Sequence, residues 1–162
     1  MSALSAIKVE PCIPMPRSFW GTKSVSDGLP LDIYEFNRPY WEALTRGSLI
    51  FQSCMSCGHC WMPASRSCPA CLSMTWSWRE SCGKGKIISW VVYHKAYHPA
   101  FKNRLPYNVA IIELLEGPRM ISNVLGDCTT LAANAAVNLT VELEGDIHVP
   151  RFSFEPCHRP SA

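Results

Sequence analysis

Two Cys-x-x-Cys pairs lie close together in the sequence and constrain the fold of this chain more than any other feature. The first pair is Cys54 and Cys57, and the second is Cys68 and Cys71. A sharp turn at each pair brings two sulfurs together, and two such turns facing each other supply four thiolates to one zinc ion. Gly58 directly follows the first pair, where a tight turn often requires a positive φ. The spacing therefore predicts a closed structural zinc site rather than a catalytic one.

Other interpretations of these cysteines are weaker. A disulfide framework requires an oxidising compartment, a thioredoxin-like redox site uses one Cys-x-x-Cys, and iron–sulfur proteins space their cysteines differently. One choice stays open within the first pair, because Cys60 forms an overlapping Cys-x-x-Cys with Cys57 and His59 is adjacent. We favour Cys54 and Cys57, since Gly58 then falls just after the turn, with Cys60 or His59 as competing ligands.

Composition excludes several classes of protein. The chain has 162 residues, of which 48% are hydrophobic, so it can bury a core. Its 15 Lys and Arg nearly balance its 13 Asp and Glu, whereas a dedicated nucleic-acid binder would carry a strong basic excess. The apolar runs are far shorter than a membrane span, and no signal peptide is recognisable at the N-terminus. We therefore expect a cytoplasmic protein, with no membrane partner, whose remaining cysteines are reduced.

The N-terminal part of the chain divides into an arm and a helical segment. Residues 1–30 are rich in Pro and Ser and predict a flexible arm, in which Phe19 and Trp20 either fold back onto the domain or dock a partner. Residues 31–47 predict a helical region with Asn37 as its cap and Pro39 in its first turn. One face of that helix carries the large apolar residues Tyr40, Trp41 and Leu44.

The rest of the chain is mainly β. Residues 48–80 predict the zinc ribbon, in which three tryptophans cover the small metal core: Trp61, Trp76 and Trp78. Residues 81–156 predict five strands and one long loop, which suit a small Greek-key barrel of the OB type. The strands are expected at Ile87–His94, Tyr107–Leu115, Met120–Leu125, Val137–Glu144 and Ile147–Phe154. Residues 157–162 predict a free tail, so the fold class is an N-terminal helix, a zinc ribbon and then a five-stranded OB-fold barrel.

Catalytic signals are weak. The glycine–lysine segment Cys82–Lys86 lacks the full phosphate-loop pattern and is interpreted as a turn before a strand. Lysines beside Cys82 could lower the pKa of its thiol, but no general base can be assigned to it. No convincing set of nucleophile, base and orienting group is present, so we predict that the chain is not an enzyme on its own.

The sequence resembles a family of zinc-ribbon plus OB-fold proteins known as domain of unknown function 35, which is often described as acyl-CoA-associated. The resemblance covers about Asp32 to Glu155. The matching segments are Tyr40–Leu44, Gly47–Leu49, Gln52–Gly58, Pro63, Arg66, Cys68–Cys71, Trp78, Gly83–Gly85, His98–Phe101, Pro106–Tyr107, Ile112–Leu114, Glu116–Arg119 and Pro150–Phe152. Two positions depart from the family pattern, because Leu72 and Asn134 stand where the family has glycine.

The resemblance implies an accessory role. Similar proteins are small, non-catalytic subunits bound to thiolase-superfamily enzymes, which include thiolases, thiolase-like aldolases and acyltransferases. The expected partners are therefore a thiolase-like protein, in a hetero-oligomer, and an acyl-CoA thioester. The expected cofactors are structural Zn²⁺ and a CoA thioester shared with the partner.

The long loop before the second barrel strand is the best candidate for contacting CoA. Lys102 and Arg104 could meet its phosphates, and Phe101 or Tyr107 could stack on adenine. The bland alternative is a solvated basic loop with two aromatic residues packed beneath it. A second function hypothesis is a module that binds single-stranded nucleic acid, as zinc ribbons and OB barrels do elsewhere. The barrel strands carry few basic residues, which counts against it.

Overall fold

The structure is a computed structural model that describes residues 22–24 and 30–154. Phe19, Trp20 and the predicted tail lie outside the described residues. Within the described residues, the end of the predicted arm contains a short antiparallel pair, β1 (Thr22–Ser24) with β2 (Pro30–Asp32). The physical reason is local: strands this close in sequence satisfy each other's backbone groups at little entropic cost.

The described residues contain one α-helix, α1 (Arg38–Thr45), which is shorter than the predicted helical segment. The helix begins later than predicted because β2 holds the first residues of the segment in an extended conformation. Pro39 lies in the first turn, where a missing N–H costs nothing. Asn37 is the cap residue, but its Oδ1 accepts the Tyr34 backbone N–H at 2.7 Å instead of a helical one. Within residues 22–24 and 30–154, no helix is long and apolar enough to cross a lipid bilayer.

A three-stranded antiparallel ribbon follows the helix. Its strands are β3 (Ile50–Cys54), β4 (Cys60–Trp61) and β5 (Trp76–Glu80), in the order β4-β3-β5. Cys54 pairs with Trp76 at one end of the ribbon, and Ile50 pairs with Glu80 at the other. The cysteine pairs therefore lie at the end of the ribbon away from its connection to the barrel.

The remaining strands form the predicted OB-fold barrel. They are β6 (Lys84–Tyr93), β7 (Tyr107–Leu114), β8 (Arg119–Ser122), β9 (Val124–Leu125), β10 (Ala136–Glu144) and β11 (Ile147–Phe154), in the order β8-β7-β6-β10-β11-β9. Only Asn123 separates β8 from β9, so the two ends of the sheet belong to one interrupted strand. The parallel pairing of β9 with β11 thus closes a barrel of five strands.

A single apolar cluster joins the helix to the barrel. Leu44 of α1 is fully buried with Ile87, Ile112 and Phe152 of the barrel. The alternating burial of β7 and β8 shows which side chains face inward, as a half-buried strand requires. Because α1 packs on β11, the helix forms part of the barrel's core rather than an appendage.

A carboxylate fastens the ribbon to the barrel at their junction. Glu116 accepts the Cys82 backbone N–H at 2.6 Å and the Ser81 hydroxyl at 3.1 Å, while the Ser81 N–H donates to the Leu49 carbonyl at 2.8 Å. Burial opposes ionisation of Glu116, yet the hydrogen bonds from Cys82 and Ser81 hold its pKa below the ordinary value. Gly83 has a φ of 74°, and β6 starts at the next residue. The glycine–lysine segment is therefore a turn into a strand, as expected.

Candidate metal centre and barrel groove

The two turns of the ribbon bring four sulfurs together. The Sγ atoms of Cys54, Cys57, Cys68 and Cys71 all lie within 4.8 Å of one another. The Sγ atoms of Cys54 and Cys71 lie 3.6 Å apart, and those of Cys57 and Cys68 lie 3.7 Å apart. A Zn–S bond of about 2.3 Å in a tetrahedron places sulfurs about 3.8 Å apart. The donor set and its dimensions therefore fit a zinc ion.

The two turns have matching backbone geometry. The Gly58 N–H donates to the Cys54 carbonyl at 3.0 Å, and the Leu72 N–H donates to the Cys68 carbonyl at 2.9 Å. Gly58 has a φ of 73° and Leu72 has a φ of 62°. Leu72 is thus the counterpart of Gly58 in the second turn.

Leu72 keeps the turn at a cost. A left-handed conformation places the Cβ of a residue other than glycine too close to the next carbonyl, which costs about 1–2 kcal/mol. The same conformation is found at Asn134, which has a φ of 62° and whose side chain tolerates it better. Both departures from the family pattern therefore preserve the backbone that glycine would give.

The pKa values of the Cys54 and Cys57 thiols show why a cation suits the cluster. Hydrogen bonds lower the pKa of Cys54 to about 6, and the largest contribution comes from the backbone N–H of Cys57. The His59 backbone N–H favours the Cys57 thiolate, but the Cys71 sulfur, burial and the other sulfurs raise the pKa of Cys57 to about 12. One sulfur therefore ionises readily while its neighbour resists, because adjacent thiolates repel. A divalent cation removes that repulsion.

The competing ligands of the sequence analysis lie outside the cluster. The Cys60 thiol instead approaches the Ser53 hydroxyl at 3.5 Å and the Gly58 carbonyl at 3.6 Å. The His59 ring stacks on Trp61, with 6.2 Å between centroids. Trp61 is buried against Cys54 and Cys68, and Trp76 packs beside them.

The proposed CoA residues form an aromatic stack on the barrel. Phe101 stacks on Tyr107 with 5.1 Å between centroids, and Tyr93 stacks on the same ring at 5.0 Å. Phe101, Lys102 and Arg104 belong to a 3₁₀ turn, Pro99–Arg104, and Lys102 is exposed. The structure thus brings three of the four residues into one cluster and leaves the lysine at its rim.

Arg104 takes part in a network of charges on the β10–β11 hairpin. Its guanidinium lies 5.7 Å from the Phe101 ring and forms an ion pair with Glu144. Arg151 bridges the same hairpin, with Nη2 at 2.8 Å from Glu144 and Nε at 2.8 Å from Glu142. Burial opposes ionisation of Glu144, but Arg104 and Arg151 hold its pKa below the ordinary value.

This network predicts a pH-dependent stability. Replacing Glu144 by Gln should lower the free energy of unfolding at pH 7 by about 1–2 kcal/mol, because two charge-assisted hydrogen bonds are lost. Since the folded-state pKa of Glu144 is depressed, its contribution exists above the unfolded pKa of about 4.3 and disappears as the pH falls through the lower folded value. Urea denaturation of both proteins at several pH values measures the difference.

The matched control is Glu142→Gln on the same hairpin, whose side chain is 43% exposed against 25% for Glu144. This replacement should lower the free energy of unfolding at neutral pH by less than Glu144→Gln does. A difference between wild type and Glu144→Gln that stays constant from pH 7 to below pH 4 would contradict the assigned ion pairs.

A continuous groove runs beside these side chains. A segment of about 310 Å³ lies between α1 and Met62–Ala64, and one of about 450 Å³ extends along the barrel; they share Tyr40, Trp41, Met120 and Ile121. A third segment of about 550 Å³ reaches the charged hairpin. The Trp41 Nε1 atom is buried and has no hydrogen-bond acceptor among the residues that the structure describes. The groove therefore offers a mainly apolar surface from the ribbon side of α1 to the hairpin.

Sequence reasoning missed the partners of the charged residues. Glu116 contacts Ser81 and Cys82, and Glu144 contacts Arg104, all of them far away in the sequence, so no local pattern marks these pairs. The aromatic stack carried a usable signal, because Tyr93 lies one residue before the end of the predicted strand Ile87–His94 and Tyr107 begins the next predicted strand.

Comparison with known proteins agrees with this architecture. A four-cysteine ribbon followed by an OB-fold barrel defines the class. Family models match residues 41–76, as the rubredoxin-like zinc ribbon domain of ChsH2, and residues 78–146, as the C-terminal OB-fold domain of ChsH2. A chain of a solved structure described as an Ltp2-ChsH2(DUF35) aldolase is 31% identical, with a TM-score of 0.67; the match covers 75% of this chain and 96% of that one. The protein therefore belongs to the DUF35 family, as the sequence predicted.

Two curated relatives show how far the likeness extends. A DUF35 domain-containing scaffold protein of Methanocaldococcus jannaschii is 37% identical over 84 residues, which cover 51% of this chain and 58% of the relative. A probable enoyl-CoA hydratase alpha subunit of Thermomonospora curvata is 38% identical over 90 residues, which cover 56% of this chain but 28% of the relative. The matched region thus spans less than two thirds of either relative.

Proposed function

We propose that this chain is a non-catalytic subunit that scaffolds a thiolase-superfamily enzyme acting on acyl-CoA thioesters. The observation that carries the proposal is the match to 96% of a chain of the solved Ltp2-ChsH2(DUF35) aldolase, together with the two ChsH2 family models. The names of the scaffold relatives support the same role. The partner would supply the catalytic residues, and the reaction would be a thiolase, aldolase or acyltransferase step. The cysteines of the described residues form no disulfide, which is consistent with a cytoplasmic location, and that location forms part of the proposal.

Within this role the metal is structural. Cys54, Cys57, Cys68 and Cys71 would all bind Zn²⁺, which leaves no coordination position for substrate. The ion would fix the turns of the ribbon, and Trp61 would shield it from water. This assignment rests on the distances between the sulfurs and on the donor set.

Native capture tests the scaffold role. We would tag this chain in its source cell, capture it gently and identify the accompanying proteins by mass. A thiolase-like protein in near-equal amount is the expected result, and its substrate then names the reaction. Recovery of the chain alone, or with RNA, would overturn the proposal, and the RNA outcome would support the nucleic-acid alternative.

We further propose that the aromatic stack and its rim contact the CoA thioester held by the partner. The adenine would contact the ring edges of Phe101 and Tyr107, because the ring faces already pack on each other, on Tyr93 and on Arg104, and Lys102 would meet a phosphate. Arg104 would act indirectly, because its ion pair with Glu144 holds it over Phe101. The groove of about 450 Å³ beside the stack has room for part of such a ligand.

Charge reversal in the assembled complex tests the lysine. Lys102→Glu should weaken binding of the CoA thioester about tenfold, because a charge-assisted contact becomes repulsive. Lys95→Glu, which reverses a charge on the same loop beside Tyr97, is the matched control and should change binding little. Equal effects of the two variants would show a general electrostatic effect and contradict the assignment of Lys102.

A further inference from the structure

The end of the ribbon carries an exposed apolar patch, which we call the ribbon tip and define as Met55, Leu72 and Met74. Their exposed fractions are 71%, 75% and 70%. A backbone hydrogen bond of 3.0 Å from Met55 to Thr75 and a 2.9 Å contact between the hydroxyls of Ser56 and Ser73 hold the two turns together. The three side chains therefore lie on adjoining segments.

Leu72 gives the tip a feature that packing does not explain. It adopts the left-handed backbone that Gly58 adopts in the first turn, and most of its side chain is in solvent. Glycine would form the same turn without strain, so the described chain gains nothing from a leucine there. Strain of this kind persists where a residue serves a role beyond the fold.

The charges around the tip indicate what it can contact. Residues 53–78 contain one charged residue, Arg66, whose guanidinium lies 5.5 Å from the Phe36 ring. A nucleic acid or an anionic lipid surface requires Lys or Arg, which the tip lacks. An uncharged surface with two flexible methionines and a leucine instead complements an uncharged apolar cleft of a protein.

We infer that the ribbon tip inserts into an apolar cleft of the catalytic subunit, with Leu72 as the central contact. This inference rests on the proposed scaffold role and assigns one of its docking surfaces. The zinc cluster beneath the tip would hold Leu72 in its bound conformation before the partner arrives. Such preorganisation reduces the entropic cost of association.

The test uses the full chain and the purified thiolase-like protein recovered with it by native capture. Leu72→Asn keeps a residue that tolerates the left-handed turn but removes the apolar side chain. It should weaken the Kd about 30-fold, as expected for a central interface residue, while zinc content and Tm are retained. Leu72→Met should bind nearly as well as wild type. Leu115→Asn, at a residue 69% exposed on the barrel, is the matched control and should not change the Kd.

The outcomes separate this inference from the scaffold proposal. If wild type binds the partner and Leu72→Asn binds equally well, the inference is overturned and the scaffold role stands. If wild type recovers no thiolase-like protein, both are overturned. Leu72→Asn could instead leave the affinity for the partner unchanged but abolish self-association of the isolated chain or its binding to neutral phosphatidylcholine vesicles. The tip would then bind a second copy or a lipid surface, and the inference is also overturned.

Discussion

Cys68→Ser is expected to lose the metal and to unfold the ribbon. Cys68 is fully buried, and its sulfur lies 3.7 Å from that of Cys57. Structural zinc in small modules contributes an apparent binding free energy of about 10–16 kcal/mol to folding, so losing one thiolate should remove several kcal/mol. Zinc content, measured by mass spectrometry of the desalted protein, should fall from about one ion per chain to near zero.

The other cysteines supply the controls for this prediction. Cys60→Ser and Cys82→Ser should retain zinc, because neither sulfur belongs to the cluster. A chelator in excess should reproduce the loss of ribbon structure in wild type, and acidification should favour release because the ligands must be deprotonated. Full zinc content in Cys68→Ser, or its loss in Cys60→Ser, would show that the ligand set is wrong.

Phe152→Ala is expected to have the largest effect in the barrel. The Phe152 side chain is fully buried, and its backbone pairs with Leu139 of β10 and with Val124 of β9. Truncation leaves a cavity where the parallel pair closes the barrel, and such changes cost about 3–5 kcal/mol. Urea denaturation with saturating zinc should show a lower midpoint with a similar slope.

Ile121→Ala tests whether burial determines the loss of stability expected for Phe152→Ala. Ile121 lies on β8 with 73% of its surface exposed, so its truncation should change the free energy of unfolding by less than about 0.5 kcal/mol. A loss below about 1 kcal/mol for Phe152→Ala would contradict the assigned core.

The parts of this fold that were predictable depend on local patterns. The alternating residues of β10 and β11 indicated their bounds because a half-buried strand repeats every two residues. Likewise, Gly58 after Cys57 indicated the ligand pair, and the structure brings those two sulfurs together while Cys60 turns toward Ser53. Spacing and turn chemistry carry this information within a few residues.

Long-range partners were not predictable in the same way. The charge of Arg104 suggested a phosphate ligand, whereas Glu144, distant in the sequence, forms an ion pair with it. Asn37 has the side chain of a helix cap, but the Tyr34 N–H competes for its oxygen. In each case the residue type was informative. Which group it contacts, however, depends on tertiary packing, which the periodicity of the sequence does not predict.

The packing of α1 on β11 sets an order for assembly during synthesis. The ribbon's cysteines are close in sequence, so the ribbon can form as soon as it leaves the ribosome and meets zinc. The apolar face of α1, by contrast, is synthesised before the ribbon and completes its packing only after β11, the last of the described strands, has been made. Until then the side chain of Leu44 lacks part of the core that buries it, so we expect translation speed and zinc supply to affect the yield of this protein at different stages.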